Sequence, residues 1–112
     1  LWSEDGRYGV SGFADAHGRP EIAGLIAGAY HQQLMADGCA HLLGPVAIDL
    51  SGDTATARGH SVVLRWNGAA FEVLRVAANR WTLARIDGRW QVTRRDNALL
   101  QGDAAARELL RP

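Results

Sequence analysis

The stretch Phe71–Asp96, FEVLRVAANRWTLARIDGRWQVTRRD, decides the fold. Residues 71–86 are rich in aromatic and β-branched side chains, and 89–96 alternate from Trp90 to Val92. Asp87-Gly88 between them is a hairpin turn signal, so the stretch reads as two antiparallel strands. Working backwards, Asn67-Gly68 marks another hairpin, with the long strand TATARGHSVVLRW before it. Ser51-Gly52-Asp53 marks a third turn, after HLLGPVAIDL, whose Gly44-Pro45 reads as a bulge or edge position.

Upstream of residue 38 the period changes from two to 3.6. Ile22, Leu25, Ile26, Ala29 and Tyr30 fall on one stripe, which predicts one helix over residues 20–37. Pro20 suits its first turn, and Gly38 its end. Gly24 and Gly28 interrupt it on the other side, as a close helix neighbour would require. Arg7–Phe13 reads as a short strand after a Ser3–Gly6 turn, and Ala14–Pro20 as a loop. Asp103 is the expected N-cap of a short helix over 104–111.

One domain is the most that 112 residues supply. Consecutive hairpin-joined strands are antiparallel, and only one long helix is available to cover them. A strongly curved sheet wrapped over that helix buries both and leaves a concave pocket. The fold class is therefore α+β.

The composition excludes several roles. The 12 basic residues, all Arg, balance 12 acidic ones, and no basic patch stands out, so nucleic acid is not the expected partner. No apolar run reaches the ~18 residues of a membrane span. Cys39 is the single cysteine, which excludes an intrachain disulfide and points to the cytoplasm. Cys39 and His41 lack a second pair to complete a zinc set, so no metal is expected. No phosphate-binding glycine loop is present and no cofactor is expected.

These segments resemble the NTF2-like superfamily and, within it, the SnoaL-like proteins. LWSEDGRY resembles the family's entry into its first strand, and GRPEIAGLIAGAY the Gly-Arg-x-x-Ile start of its helix. HLLGPVAIDLSGDTATARG, with His41, Pro45 and Ile48, resembles its His…Pro…Ile strand, and RWTLARIDGRWQVTRRD its last hairpin. The resemblance implies a cone-shaped, cystatin-like curved sheet with a pocket inside, and often a dimer through the outer sheet face. It also leads to the expectation that an N-terminal helical segment ahead of Leu1-Trp2 is missing from this sequence; that segment is the expected neighbour of Gly24 and Gly28.

On an unbroken last strand Trp90, Val92, Arg94 and Asp96 share one face. Trp90 and Val92 belong to the core, so Arg94 and Asp96 are expected to point into the cone, and Gln91, Thr93 and Arg95 outward. SnoaL-like and ketosteroid isomerase-like relatives use carboxylates in such pockets as acid or base. Asp96 and His41 are thus the expected proton carriers, with Arg94, Asn79 and Tyr8 orienting. Asn79 shares its face with Trp81. Gln33, a polar group on the apolar helix stripe, and His60 complete the substrate-binding candidates. A neighbouring Arg favours ionised carboxylate, so a structural Arg94–Asp96 pair is the plain alternative. For His41 it is a hydrogen-bonded, half-buried imidazole.

The function implied is binding of an apolar, ring-containing or polyketide-like compound. If enzymatic, it is cofactor-free isomerisation, cyclisation, dehydration or hydrolysis. The alternative is a non-catalytic binding or dimerisation module. A homodimer through outer positions such as Val76, Arg80 and Arg95 is expected.

Overall fold

The computed structural model describes residues 1–112. Four long strands form an antiparallel meander: β3 (Cys39–Ser51), β4 (Thr54–Trp66), β5 (Phe71–Ile86) and β6 (Arg89–Leu99). Their turns have local causes. Asp87 and Gly88 both take positive φ, 50° and 76°, as a two-residue hairpin requires. Asn67 Oδ1 accepts from the backbone N–H of Ala69 and Ala70 at 3.0 and 2.9 Å, closing the β4–β5 turn.

The sheet continues beyond β6 through β1 (Trp2–Val10) to β2 (Ala14–His17), in the order β2-β1-β6-β5-β4-β3. β1 runs parallel to β6, unlike every other pair. Residues 39–99 are thus antiparallel throughout, as expected, while the β1–β6 pairing was not anticipated. Two local expectations are corrected. Ser3–Gly6 is not a turn but the irregular part of β1, where the register shifts between Trp2 and Arg7. Ala14–His17 is not a loop; it pairs with Arg7–Val10 through a tight turn at Gly12, φ 72°.

The single helix over 20–37 is also corrected. There are two, α1 (Gly18–Ala27) and α2 (Ala29–Asp37), broken at Gly28, whose ψ of 152° is extended. Gln32 stabilises the break, donating from Nε2 to the freed Ile26 carbonyl at 2.9 Å. Gly28 therefore serves the bend itself, and a Cβ at Gly24 would meet nothing within 4 Å. Glu21 accepts from the His17 backbone N–H at the start of α1, and Gly38 ends α2 at φ 97°.

Three bulges bend the sheet: at Gly44-Pro45 in β3, at Leu74 in β5 and at Thr93 in β6. Gly59 faces the first, and a Cβ there would lie 2.9 Å from the Pro45 carbonyl oxygen. Only glycine fits that approach.

α1 and α2 lie on the concave side. A third helix, α3 (Ala104–Leu109), packs on the convex side against Ala78 and Ala98. Its N-cap is Asp103, which accepts from Ala106 N–H. Leu100, Leu109 and Leu110 close this small outer core.

Candidate functional site

The concave face, α1 and α2 form a half-open cavity of about 390 Å³. Its wall is mainly apolar, with Val10, Leu25, Ile26, Leu34, Val63 and Leu74 among the lining residues. The polar lining groups are few, and come from six elements: Tyr8 of β1, His31 of α2, His41 of β3, Ser61 of β4, Arg75 of β5, and Arg95 and Asn97 of β6.

One hydrogen-bonded network organises the sheet side of this cavity. Its hub is Asn79, fully buried and opposite Asn97 in the β5–β6 ladder. Asn79 Oδ1 accepts from Arg95 Nε (3.1 Å), Arg95 Nη2 (2.8 Å) and Asn97 Nδ2 (2.8 Å). Its own Nδ2 donates to Ser61 Oγ at 2.8 Å. Asn97 Oδ1 in turn accepts from Arg75. The two amides thus fix two guanidiniums and leave the Ser61 hydroxyl proton free to point into the cavity.

Arg95 is held between two rings, its guanidinium 4.9 Å from the Tyr8 centroid and 5.2 Å from that of Trp81. These contacts favour a cation that has lost much of its water. Its pKa is nevertheless lowered, first by burial, while the Tyr8 ring system opposes the shift and Arg75 adds to it.

In the same cavity the rings of His31 and His41 lie 5.8 Å apart, tilted by 49°. His41 sits below its usual pKa of 6.5, chiefly through partial burial, then through repulsion from His31 and Arg95. It is therefore neutral at pH 7, able to accept a proton.

The expected site residues divide sharply. Tyr8 and His41 line the cavity, Asn79 lies beneath its polar wall, and Trp81 supports Arg95 from below. Asp96 and Arg94 are corrected: they lie on the opposite face of β6, in a groove with Arg7 and Asp15. The cause is the bulge at Thr93. Leu83 pairs with Val92 but Thr82 pairs with Arg94, so one extra residue inverts the alternation. Arg95 and Asn97 thereby take the inward positions, and Arg95 is not an outer-face residue. Gln33 is corrected too: the break at Gly28 leaves it exposed, donating to Asp37 at 2.8 Å, and Leu34 is the buried residue of α2. His60 is exposed and lines no part of the cavity, since its neighbour Ser61 takes the inward position.

Arg94 holds Asp96 with two bonds, 2.6 and 3.1 Å, and Arg7 holds Asp15 alongside. This is the plain structural pair. Because Arg94 is about half exposed, Asp96→Asn should cost no more than about 1 kcal/mol in chemical denaturation. It should also leave ligand affinity unchanged. A larger loss of either would show that the pair reaches the inner face.

Sequence reasoning missed Arg95, Asn97, Arg75, Ser61 and His31. The available signal was the run Thr93–Asn97, five polar residues after an apolar alternation, which is where a bulge is least opposed by side-chain burial.

No group of three or more His, Cys, Asp or Glu side chains is arranged to hold a metal ion. No helix is long and apolar enough to cross a membrane.

Comparison with known proteins gives a consistent result. The family model described as a SnoaL-like domain matches residues 1–96. An NTF2-like protein with a cystatin-like fold from Novosphingobium aromaticivorans is 58% identical, with TM-score 0.96; the match covers 99% of this chain and 72% of that one. A Catenulispora acidiphila structure in complex with S-DNPA is 24% identical, with TM-score 0.72, over 88% of this chain and 72% of that one. ActVI-ORFA of Streptomyces coelicolor is 21% identical, with TM-score 0.73, over 88% and 77%. The latter two likenesses concern the fold alone. No curated protein matches the chain.

Proposed function

Since this chain belongs to the SnoaL-like domain family, a small-molecule-binding branch of the NTF2-like fold, we propose that its cavity takes an apolar, ring-containing or polyketide-like compound and that His41 moves a proton on it without a cofactor. The observation that carries the reading is convergence: polar groups from six elements meet on an otherwise apolar cavity. The ligand-bound Catenulispora relative and ActVI-ORFA support the substrate class by analogy of fold.

The chemistry follows from the groups present. The neutral His41 imidazole takes a proton from carbon next to a ligand carbonyl. The C–H electron pair becomes the enolate π bond, and negative charge develops on oxygen. The hydroxyls of Ser61 and Tyr8 donate to that oxygen, in the positive field of Arg95. Returning the proton to another position gives isomerisation; attack of the enolate carbon on a second carbonyl gives cyclisation.

Proton exchange in 2-tetralone, a bicyclic ketone, tests this directly. The protein in D₂O should speed loss of the α-proton NMR signal well above the buffer rate. Binding of 2-tetralone without faster exchange would leave a binding module and remove the catalytic reading.

The same family supports a homodimer through the convex face, where Val76 is exposed on β5. Part of that face is taken by the tail: α3 covers Ala78, and Arg80 donates to the Arg111 carbonyl. The dimer contact would therefore lie beside α3. Light scattering at tens of micromolar should give twice the monomer mass; monomer alone would remove the proposal. The proposed setting is the cytoplasm, in keeping with the unpaired Cys39.

A further inference from the structure

We propose that the ligand of this cavity is an organic acid, whose carboxylate sits against Arg75 and Arg95 while its ring lies on the apolar wall. The inference rests on the reading of the cavity as a small-molecule site and adds the charge of the molecule it takes.

Two guanidiniums line the cavity, and no Asp or Glu does. Neither Arg75 nor Arg95 takes part in any of the chain's ion pairs. Elsewhere six of the chain's arginines hold a carboxylate, Arg7, Arg58, Arg65 and Arg94 among them. Buried or half-buried cations are normally paired, because losing water is costly without a counter-charge.

Here the partners are neutral amides. Arg95 gives two N–H groups to Asn79 Oδ1, and Arg75 gives one to Asn97 Oδ1. A guanidinium carries five N–H donors, so most of both forks remain unspent. The amides hold the two cations at fixed positions on adjoining strands without neutralising either. Arg75 is near enough to Arg95 to make its charge less favourable. Two like charges on adjoining strands that both line an apolar cavity form a receptor for an anion. The surrounding wall, from Val10 to Leu74, excludes a small hydrated ion as the preferred occupant and suits an acid with a hydrocarbon ring.

The experiment compares 2-naphthoate with 2-naphthamide, equal in shape and different in charge, by quenching of tryptophan fluorescence and by calorimetry at pH 7. The acid should bind at least about tenfold more tightly, the usual scale of one charge-assisted contact. Arg75→Gln should remove most of that preference, weakening the acid far more than the amide. Arg95→Gln should do the same if it folds; Arg75→Gln decides the matter if it does not. Equal affinities for acid and amide would overturn the proposal while the cavity remains a binding site. So would a preference that Arg75→Gln leaves intact in a folded protein. If neither probe binds at millimolar concentration, the small-molecule reading falls and the proposal with it.

Discussion

Asn79→Leu should destabilise the protein by roughly 3–5 kcal/mol, the scale for stripping the partner from a buried charged group. The side chain is fully buried, and its single Oδ1 holds three N–H donors. Leucine matches the volume but accepts nothing. Two donors of Arg95 and one of Asn97 would be stranded away from water, each at about 1–3 kcal/mol when nothing replaces the partner. Arg95 would lose the contact that fixes it between Tyr8 and Trp81, although those rings would still hold part of it. The melting temperature should fall on the order of 10–20 °C for a domain of this size. Asn79→Asp is the informative contrast. It keeps an acceptor for Arg95 and even adds charge, so it should retain more stability than Asn79→Leu. Equal losses in both variants would mean that packing at this position, rather than hydrogen bonding to Arg95, holds the β5–β6 core.

The second large effect concerns His41. His41→Asn should lower the exchange rate of 2-tetralone at least about a hundredfold, the usual contribution of a positioned base. Its affinity for the ketone should change little, because the apolar wall is untouched. The pH profile adds a test that a structural histidine would fail. Burial, His31 and Arg95 all depress the His41 pKa below 6.5. The base is active in its neutral form, and that form persists to lower pH when the pKa is lowered. The acid limb of the rate profile should therefore lie below pH 6.5, with a flat rate across neutrality. A limb at or above 6.5 would contradict the assigned environment of His41. A small loss in His41→Asn would move the role to His31, whose ring lies 5.8 Å away.

The parts of the fold that rest on local chemistry were legible in the sequence. Asp87-Gly88, Asn67-Gly68 and Gly52-Asp53 form the three turns of the meander, and Gly44-Pro45 is a bulge. Gly38 ends the helical region and Asp103 caps α3. What was not legible depends on distant partners. The parallel pairing of β1 with β6 joins residues more than 80 positions apart and has no local marker. Gly28 breaks the helix, yet an interior glycine fits a close helix contact equally well. The inward face of β6 hinged on the Thr93 bulge. In a strand of alternating apolar residues, burial would have pinned the register. From Thr93 to Asn97 every side chain is polar, so either alternation satisfied the pattern. Asp96 was thus placed inside and Arg95 outside, the reverse of the structure. The same displacement replaced an acidic site with a cationic one, which changes both the base and the ligand expected.

The central claim is that the concave cavity, with the Asn79 network on its sheet wall, receives the ligand. Titration of isotope-labelled protein with 2-tetralone, followed by NMR, tests it most directly. Shifts should concentrate on Tyr8, Ser61, Val63, the Asn79 and Asn97 side-chain amides and Arg95 Nε–H, with the His41 ring following the same saturation curve. Shifts confined to Gly9, Arg94 and Asp96, in the groove on the other face of β6, would contradict it.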